Sequence, residues 1–267
     1  MSEPAQQAEA YFAETNADDS ERQRLTYIQS SFDPKSIQDL TRIGVGPEWE
    51  CLEVGAGGGS ITRWLAMTVG TSGRVVATDL DTRFIADIEM PNVEVRRHNI
   101  LEDELETDAF DLVHCRFLLT HFEDREIALE RMVNSLRPGG LVIVEEPDFS
   151  TIKALDHSHP DSEYFDNVMS ILFKKVTDQK IFDAFIGPRM PFYLANAGLS
   201  RIGSSGSLWV ASGGDDHAGH LRLSMPILES MGVLASEDAL RLVNILSDKS
   251  FKFTPFAPYS AWGTRRA

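Results

Sequence analysis

Basic residues are scarce in this chain. Its 267 residues include 25 Lys and Arg against 41 Asp and Glu, a net charge of −16. Such a surface repels phosphate backbones, which are gripped through Lys and Arg, and so argues against a nucleic-acid partner or an anionic membrane. Long apolar runs are also missing, and no stretch approaches the ~18 continuous apolar residues of a membrane span. There are only two cysteines, Cys51 and Cys115, each inside an apolar strand-like run. They read as buried reduced thiols rather than a disulfide or a zinc site. The first twenty residues carry Glu3, Glu9, Glu14, Asp18 and Asp19 with no basic start and no apolar run, unlike a targeting segment. There are no internal repeats or low-complexity tracts, and Ala211-Ser212-Gly213-Gly214 is the one linker-like run. These absences predict a soluble cytoplasmic protein that binds neither nucleic acid nor membrane.

What is present is ordinary globular composition. Apolar residues make up 42% and charged residues 25%, which excludes a disordered chain or a coiled coil. The length suits one large domain or two small ones, enough to bury a core without disulfides or metal. Residues 1–19 read as a polar tail or a short helix with Ala8, Tyr11 and Phe12 at helical spacing. Ser20 and Glu21 open a helix over 20–32 with Leu25, Ile28 and Phe32 on one face. Asp33-Pro34 starts another, stopped by Gly44 and Gly46.

The period then changes. Strands are predicted at 50–54, 74–78, 92–96, 110–115 and 141–145, and helices at 59–69, 81–88 and 124–136. The strands are rich in Val and Leu on both faces, the mark of a parallel sheet covered on both sides by helices. Beyond residue 147, helices are expected at 161–176, 178–185, 189–197, 217–232 and 236–249. A strand is expected at 201–210 and an edge strand, aromatic and Pro-containing, at 251–262.

The strongest local signal is LEVGAGGGS, residues 52–60. A strand ends at Val54, and Gly55-Ala56-Gly57-Gly58-Gly59 turns into a helix. Glycines let backbone turn sharply and approach a ligand, and the helix start adds N–H donors. Asp79 closes the next strand, where a carboxylate can accept both hydroxyls of a ribose. The pairing fits an adenosine-bearing cofactor. A nicotinamide fingerprint would place its third glycine where Ser60 stands, and no Tyr-x-x-x-Lys pair is found, Tyr164 being followed four residues on by Val168.

With Glu53 two residues before Gly55 and glycines at 55, 57 and 59, the run resembles the first motif of the class I S-adenosylmethionine (SAM)-dependent methyltransferases, E/D-x-G-x-G-x-G. Four further segments resemble that family in the right order: Asp79-Leu80, Asn99-Ile100, FDLVHCRFLLTHF (110–122) and LRPGGLVIVEEPD (136–148). The likeness runs over roughly residues 48–150. It implies an α/β, Rossmann-like doubly wound seven-stranded sheet with its last strand antiparallel, the final pair coming from 201–210 and 251–262. It also implies a division into N-terminal helices or lid (1–46), a SAM-binding core (47–150), and helical cap insertions with the last two strands (151–267). The segment between those two strands is much longer than the family's usual hairpin.

The resemblance implies a role for each matching residue. Gly55, Ala56 and Gly57 would pass under the methionine portion of SAM, and Glu53 would organise the loop or reach the SAM amino group. Asp79 would take the ribose hydroxyls and Leu80 the adenine face. Asn99 and the Ile100 backbone would meet the adenine edge. Cys115, through its carbonyl, and Arg116 would face the methionine end.

Methyl transfer is an in-line displacement that needs proximity above all, and a base only where the acceptor is protonated. His121, after the fourth strand, is the candidate base, against a packing or capping role. Glu146, beside Glu145 and Asp148 after the fifth strand, is the second candidate for base or substrate contact. His157 and His159, and His217 with His220, read as ordinary loop histidines rather than metal ligands; no metal is expected. Tyr11, Phe12, Tyr27 and Phe32 could close as a lid. Phe165, Phe173, Phe182, Phe185, Phe192 and Tyr193, with Met169, Met190, Met225 and Met231, would make a broad apolar acceptor pocket in the cap, or simply core. The expected activity is methyl transfer from SAM to a small, largely apolar metabolite, to oxygen ahead of nitrogen or carbon. The alternatives are a SAM-binding enzyme of the same fold with a non-methylating reaction such as cyclisation, a nicotinamide-dependent oxidoreductase, and a binding module with a vestigial loop. A homodimer through the N-terminal or cap helices is compatible with the sequence.

Overall fold

Strands that are apolar on both faces must be covered on both faces, and that is what the chain does. A computed structural model describes residues 18–266. Seven strands, β1 (Glu50–Val54), β2 (Arg74–Asp79), β3 (Val93–Arg97), β4 (Phe110–Arg116), β5 (Leu136–Asp148), β7 (Ser200–Gly206) and β10 (Ala257–Thr264), form one sheet. Its order is β3-β2-β1-β4-β5-β10-β7. From β3 to β5 the pairs are parallel, and β10 runs antiparallel to β7. This is the expected doubly wound sheet. Three short strands, β6 (Lys153–Ala154), β8 (Ala211–Ser212) and β9 (Lys252–Thr254), form a second sheet in the order β6-β9-β8. The helices are α1 (Asp18–Ile43), α2 (Ser60–Val69), α3 (Arg125–Ser135), α4 (Ser162–Asp178), α5 (Met190–Asn196), α6 (Asp216–Ser230) and α7 (Ser236–Ile245).

Contacts divide the chain into two units. One takes residues up to Phe32, Pro147–Phe185 and Ser207–Pro258; the other takes Asp33–Glu146, Ile186–Gly206 and the chain from Tyr259 on. The second unit holds most of the large sheet. Its core packs Leu40 of α1 and Ile61, Leu65 and Val69 of α2 against Cys51, Val75, Leu112 and Ile143. Cys51 and Cys115 are both buried and free. The first unit is rich in packed rings: Phe149 lies 4.1 Å from Phe173 and 4.4 Å from Phe256, centroid to centroid. Among the described residues no helix is long and apolar enough to cross a membrane.

Four expectations are corrected. The two helices expected across Asp33-Pro34 are one helix, α1, with Pro34 inside it. A proline within a helix costs about 3 kcal/mol. Burial on both sides of it, of Phe32 and then of Ser36, Asp39 and Leu40, holds the helix through that break. The helix expected at 81–88 is a single turn, Thr82–Phe84, capped by the Asp81 carboxylate on the Arg83 N–H. Ile85 then packs with Ala56 and Ala77 beneath the glycine loop. No helix forms over 178–185: Lys180 takes a left-handed φ of 58°, and Thr177 Oγ1 accepts the Ala184 N–H. The strand expected at 251–262 is two, β9 and β10, broken where Pro255 has no N–H to give, and β10 lies inside the large sheet rather than at its edge. The expected helix around Ala8, Tyr11 and Phe12, and the part of the lid built on it, lie outside the described residues.

Candidate cofactor and active site

In the order β3-β2-β1-β4-β5 successive strands are added in opposite directions on either side of the gap between β1 and β4, and at such a switch point the carboxyl ends of neighbouring parallel strands open a crevice. Val54, the last residue of β1, is in register with Thr78 on β2 and with Cys115 on β4. The residues that follow these strands therefore share one edge. Reading along the sheet, they are Asn99 after β3, Asp79 closing β2, Gly55 after β1, Arg116 closing β4, and Glu146 near the end of β5.

The glycine loop is built by its backbone. Gly55, Gly57 and Gly59 have φ of 73°, 55° and 72°, a left-handed run that side chains resist. The Gly55 and Ala56 N–H groups both donate to the Thr78 carbonyl, at 2.8 and 3.0 Å. A Cβ on Gly55 would stand 3.1 Å from Leu118 Cδ1, and one on Gly59 would stand 2.8 Å from both Ile85 Cγ2 and Ile88 Cδ1. Asp79 finishes the cradle: its Oδ2 accepts the Gly57 N–H at 2.8 Å and its Oδ1 the Asp81 N–H at 2.9 Å. Burial raises its pKa to about 6 against the pull of those two donors.

Beside Asp79, Leu80 leaves 38% of its surface exposed, an apolar side chain at the lip of the edge. The Asn99 carboxamide oxygen accepts the Leu101 N–H at 3.0 Å, which fixes its orientation, and Ile100 is buried beneath it. A left-handed glycine cradle, an anchored carboxylate and an adjacent exposed leucine, in that chain order, are of the kinds an adenosyl cofactor would need.

Behind the loop runs a polar ring. Thr62 Oγ1 donates to Glu53 Oε2. Glu53 Oε1 lies 3.7 Å from His114 Nδ1, and His114 Nε2 lies 3.1 Å from Glu145 Oε1. Ser36 Oγ donates to Glu145 Oε2 at 2.8 Å and accepts from Arg116 at 2.9 Å. Arg116 pairs with Asp33 at 2.9 Å, and Ser60 Oγ donates to Asp33 Oδ1 at 3.0 Å. Ser60, where a nicotinamide fingerprint has glycine, is thus a fastening point.

Beyond β4 the chain turns through Phe117, which has φ 53°, a costly conformation for a bulky residue and one that clusters at functional sites. Glu146 holds the following segment. Its buried carboxylate accepts N–H groups from Leu118 (3.1 Å), Leu119 (2.7 Å) and Thr120 (3.2 Å). Burial pushes its pKa up to about 8, against those three donors and the charge of Arg125. His121 ends the single helical turn that these amides open, and it is partly exposed. Cys115 is buried, its thiol pushed well up by burial.

His98 joins the same edge, its N–H donating to the Asp79 carbonyl at 3.0 Å, while three further histidines lie elsewhere. His159 lies 3.4 Å from Asp248, and His217 and His220 pack edge-on against Phe32. Among the described residues no three His, Cys, Asp or Glu side chains gather as a metal-binding group. Sequence reasoning passed over His114, Asp33, Ser36 and Thr62. The signal for His114 was available: a histidine in mid-strand, in the apolar run 110–115, is either a flaw in the core or a paired group.

Residues 52–144 match the family model described as a methyltransferase domain. The chain is 28% identical over 137 residues to Methyltransferase str2 of Strobilurus tenacellus, covering 50% of this chain and 48% of that one. It is 29% identical over 143 residues to a demethylmenaquinone methyltransferase of Staphylococcus aureus (strain MRSA252), covering 52% and 58%. It spans about half the length of the curated relatives it matches. Among solved structures the fold is like that of Haemonchus contortus phosphoethanolamine N-methyltransferase 2 in complex with phosphomonomethylethanolamine and S-adenosylhomocysteine. The TM-score is 0.62 at 16% identity, covering 97% of this chain and 61% of that one. It is also like the YcgJ protein of Bacillus subtilis, with a TM-score of 0.58 at 14% identity over 86% and 97% of the two chains. Residues 52–144 are thus similar to a methyltransferase domain, and the fold around them is one that S-adenosylmethionine-dependent methyltransferases share.

Proposed function

We propose that this protein transfers a methyl group from SAM to a small, largely apolar acceptor, to oxygen ahead of nitrogen or carbon. The observation that carries the reading is the Asp79 carboxylate, tied to the Gly57 N–H at the switch point of the sheet. SAM, when bound, supplies a methyl group already activated on a sulfonium. The chain's own task is to bind, orient and keep out water, which proximity makes sufficient for much of the rate.

In this reading Gly55, Ala56 and Gly57 floor the methionine portion, and Glu53 fixes the turn into them. Asp79 accepts the ribose hydroxyls, Leu80 covers adenine, and Asn99 with the Ile100 backbone meets its edge. The Cys115 carbonyl and the Arg116 guanidinium face the methionine end. His121 takes the proton of an acidic acceptor. Glu146 holds the Leu118–Thr120 amides and so sets where His121 stands, a positioning role rather than contact with substrate.

An acceptor without phosphate chains suits a protein of net charge −16. Two buried free thiols suit the reducing cytoplasm. The test is formation of S-adenosylhomocysteine (SAH) with panels of phenols, hydroxy acids and amines. A phenol or hydroxy acid should turn over, and His121→Gln should lower kcat at least tenfold with SAM binding unchanged. Binding of SAM with rearranged but unmethylated product would favour the non-methylating alternative.

A further inference from the structure

Three ionisable side chains lie side by side inside the sheet. Glu53 on β1 is in register with His114 on β4, and Glu145 comes from β5 on the other side. All three are buried. Two carboxylates in such a place are costly unless a cation stands between them. The imidazole does: Nε2 is 3.1 Å from Glu145 and Nδ1 is 3.7 Å from Glu53. Burial by itself would lower the imidazole pKa, but Glu145 and Glu53 carry it up to about 9.

Each carboxylate then reaches the first turn of α2 by its own route. Glu53 accepts directly from Thr62. Glu145 is linked through Ser36, Arg116 and Asp33 to Ser60. Glu53 stands two residues before Gly55 and Ser60 directly follows Gly59, so both ends of the glycine loop join a polar ring in which His114 hydrogen-bonds Glu145 and makes a 3.7 Å ion-pair approach to Glu53.

We propose that His114, as an imidazolium bridging Glu53 and Glu145, is a positioning residue for the cofactor loop. Loss of its proton leaves two buried carboxylates facing a neutral ring, releases Glu53 from its place, and loosens the loop at the Gly55 end. The titratable groups facing the ring are Glu53 from β1 and Glu145 from β5; Arg116 of β4 and Asp33 of α1 lie further along the same chain of bonds. The inference rests on the SAM reading given above.

The test has two arms. Titration of SAH into wild type, His114→Gln and Glu145→Gln by calorimetry, from neutral pH upward through about 9, reads the coupling. Wild type should lose affinity by up to about tenfold per pH unit once the imidazole deprotonates. The His114→Gln protein should bind more weakly at neutral pH and lack that limb. The amino group of SAH titrates alike in all three proteins, so the difference between profiles belongs to His114. Should His114→Gln fail to fold, Glu145→Gln still decides: with one carboxylate neutral, the limb must move to lower pH. The second arm follows the His114 Cε1–H resonance in the cofactor-free protein, which should remain that of an imidazolium at neutral pH. Superimposable binding profiles, or a neutral His114 at that pH, would overturn the proposal. Failure of wild type to bind SAH at all would instead overturn the cofactor reading, while the resonance would still report on His114.

Discussion

The Asp79 carboxylate accepts the Gly57 N–H at 2.8 Å, so the end of β2 and the middle of the glycine loop are one piece of structure. A ligand that bonds to Asp79 bonds to a group whose position the loop has already fixed, and little ordering is left to be done on binding.

The pH dependence of that carboxylate is the first prediction. Burial raises its pKa to about 6 from 3.8. The ionised form is the better acceptor for ribose hydroxyls, so SAH affinity should fall as pH drops through about 6. Stability of the cofactor-free protein runs the other way. The folded chain holds this proton more tightly than the unfolded one, so the contribution is full below 3.8 and is lost as pH rises through about 6. Calorimetry for binding and urea melts for stability, across that window, should show opposite slopes from this group, with Asp79→Ala removing both.

Two glycines separate backbone strain from crowding. Gly139 has φ 84° with nothing within 4 Å of an added Cβ, whereas Gly59 has φ 72° and meets Ile85 and Ile88 at 2.8 Å. Gly139→Ala should cost about 1–2 kcal/mol in urea melts, the price of left-handed backbone. Gly59→Ala should cost more, and it should weaken SAH binding while Gly139→Ala leaves it unchanged.

Glu146 distinguishes an anchor from a base. Removing its carboxylate leaves the Leu118, Leu119 and Thr120 amides without their acceptor, at about 1–3 kcal/mol for each buried donor left unpaired. Glu146→Ala should therefore lower stability by several kcal/mol, and Glu146→Gln, which keeps one oxygen, by less. A base would show the reverse: unchanged melts and a lost kcat in Glu146→Gln.

Where the sequence was legible, one force dominated. Strands β1, β2, β4 and β5 are apolar on both faces, and their limits were expected within a residue or two except at β5, which also takes in the turn before it. The glycine loop and Asp79 were legible because backbone conformation there demands glycine. The errors came where two forces compete. At Pro34 the local rule for proline lost to burial on either side. At 178–185 helical spacing lost to a left-handed Lys180 and the Thr177 side chain. The polar ring through His114 was not legible because its members come from α1, β1, α2, β4 and β5, and only the sheet register makes them neighbours. Glu146 was singled out for its place at the sheet edge; that its oxygens face backbone amides depends on the turn after Phe117, which no local pattern announces.

On the proposed reading, this edge of the sheet holds SAM. Calorimetric titration of the protein with SAM, SAH and NADH in parallel, with Asp79→Ala beside it, tests that most directly. SAM and SAH should bind at micromolar concentrations, both should be lost in Asp79→Ala, and NADH should give no heat. Binding of NADH with none of SAM or SAH would contradict it and return the loop from Gly55 to Gly59 to the dinucleotide class.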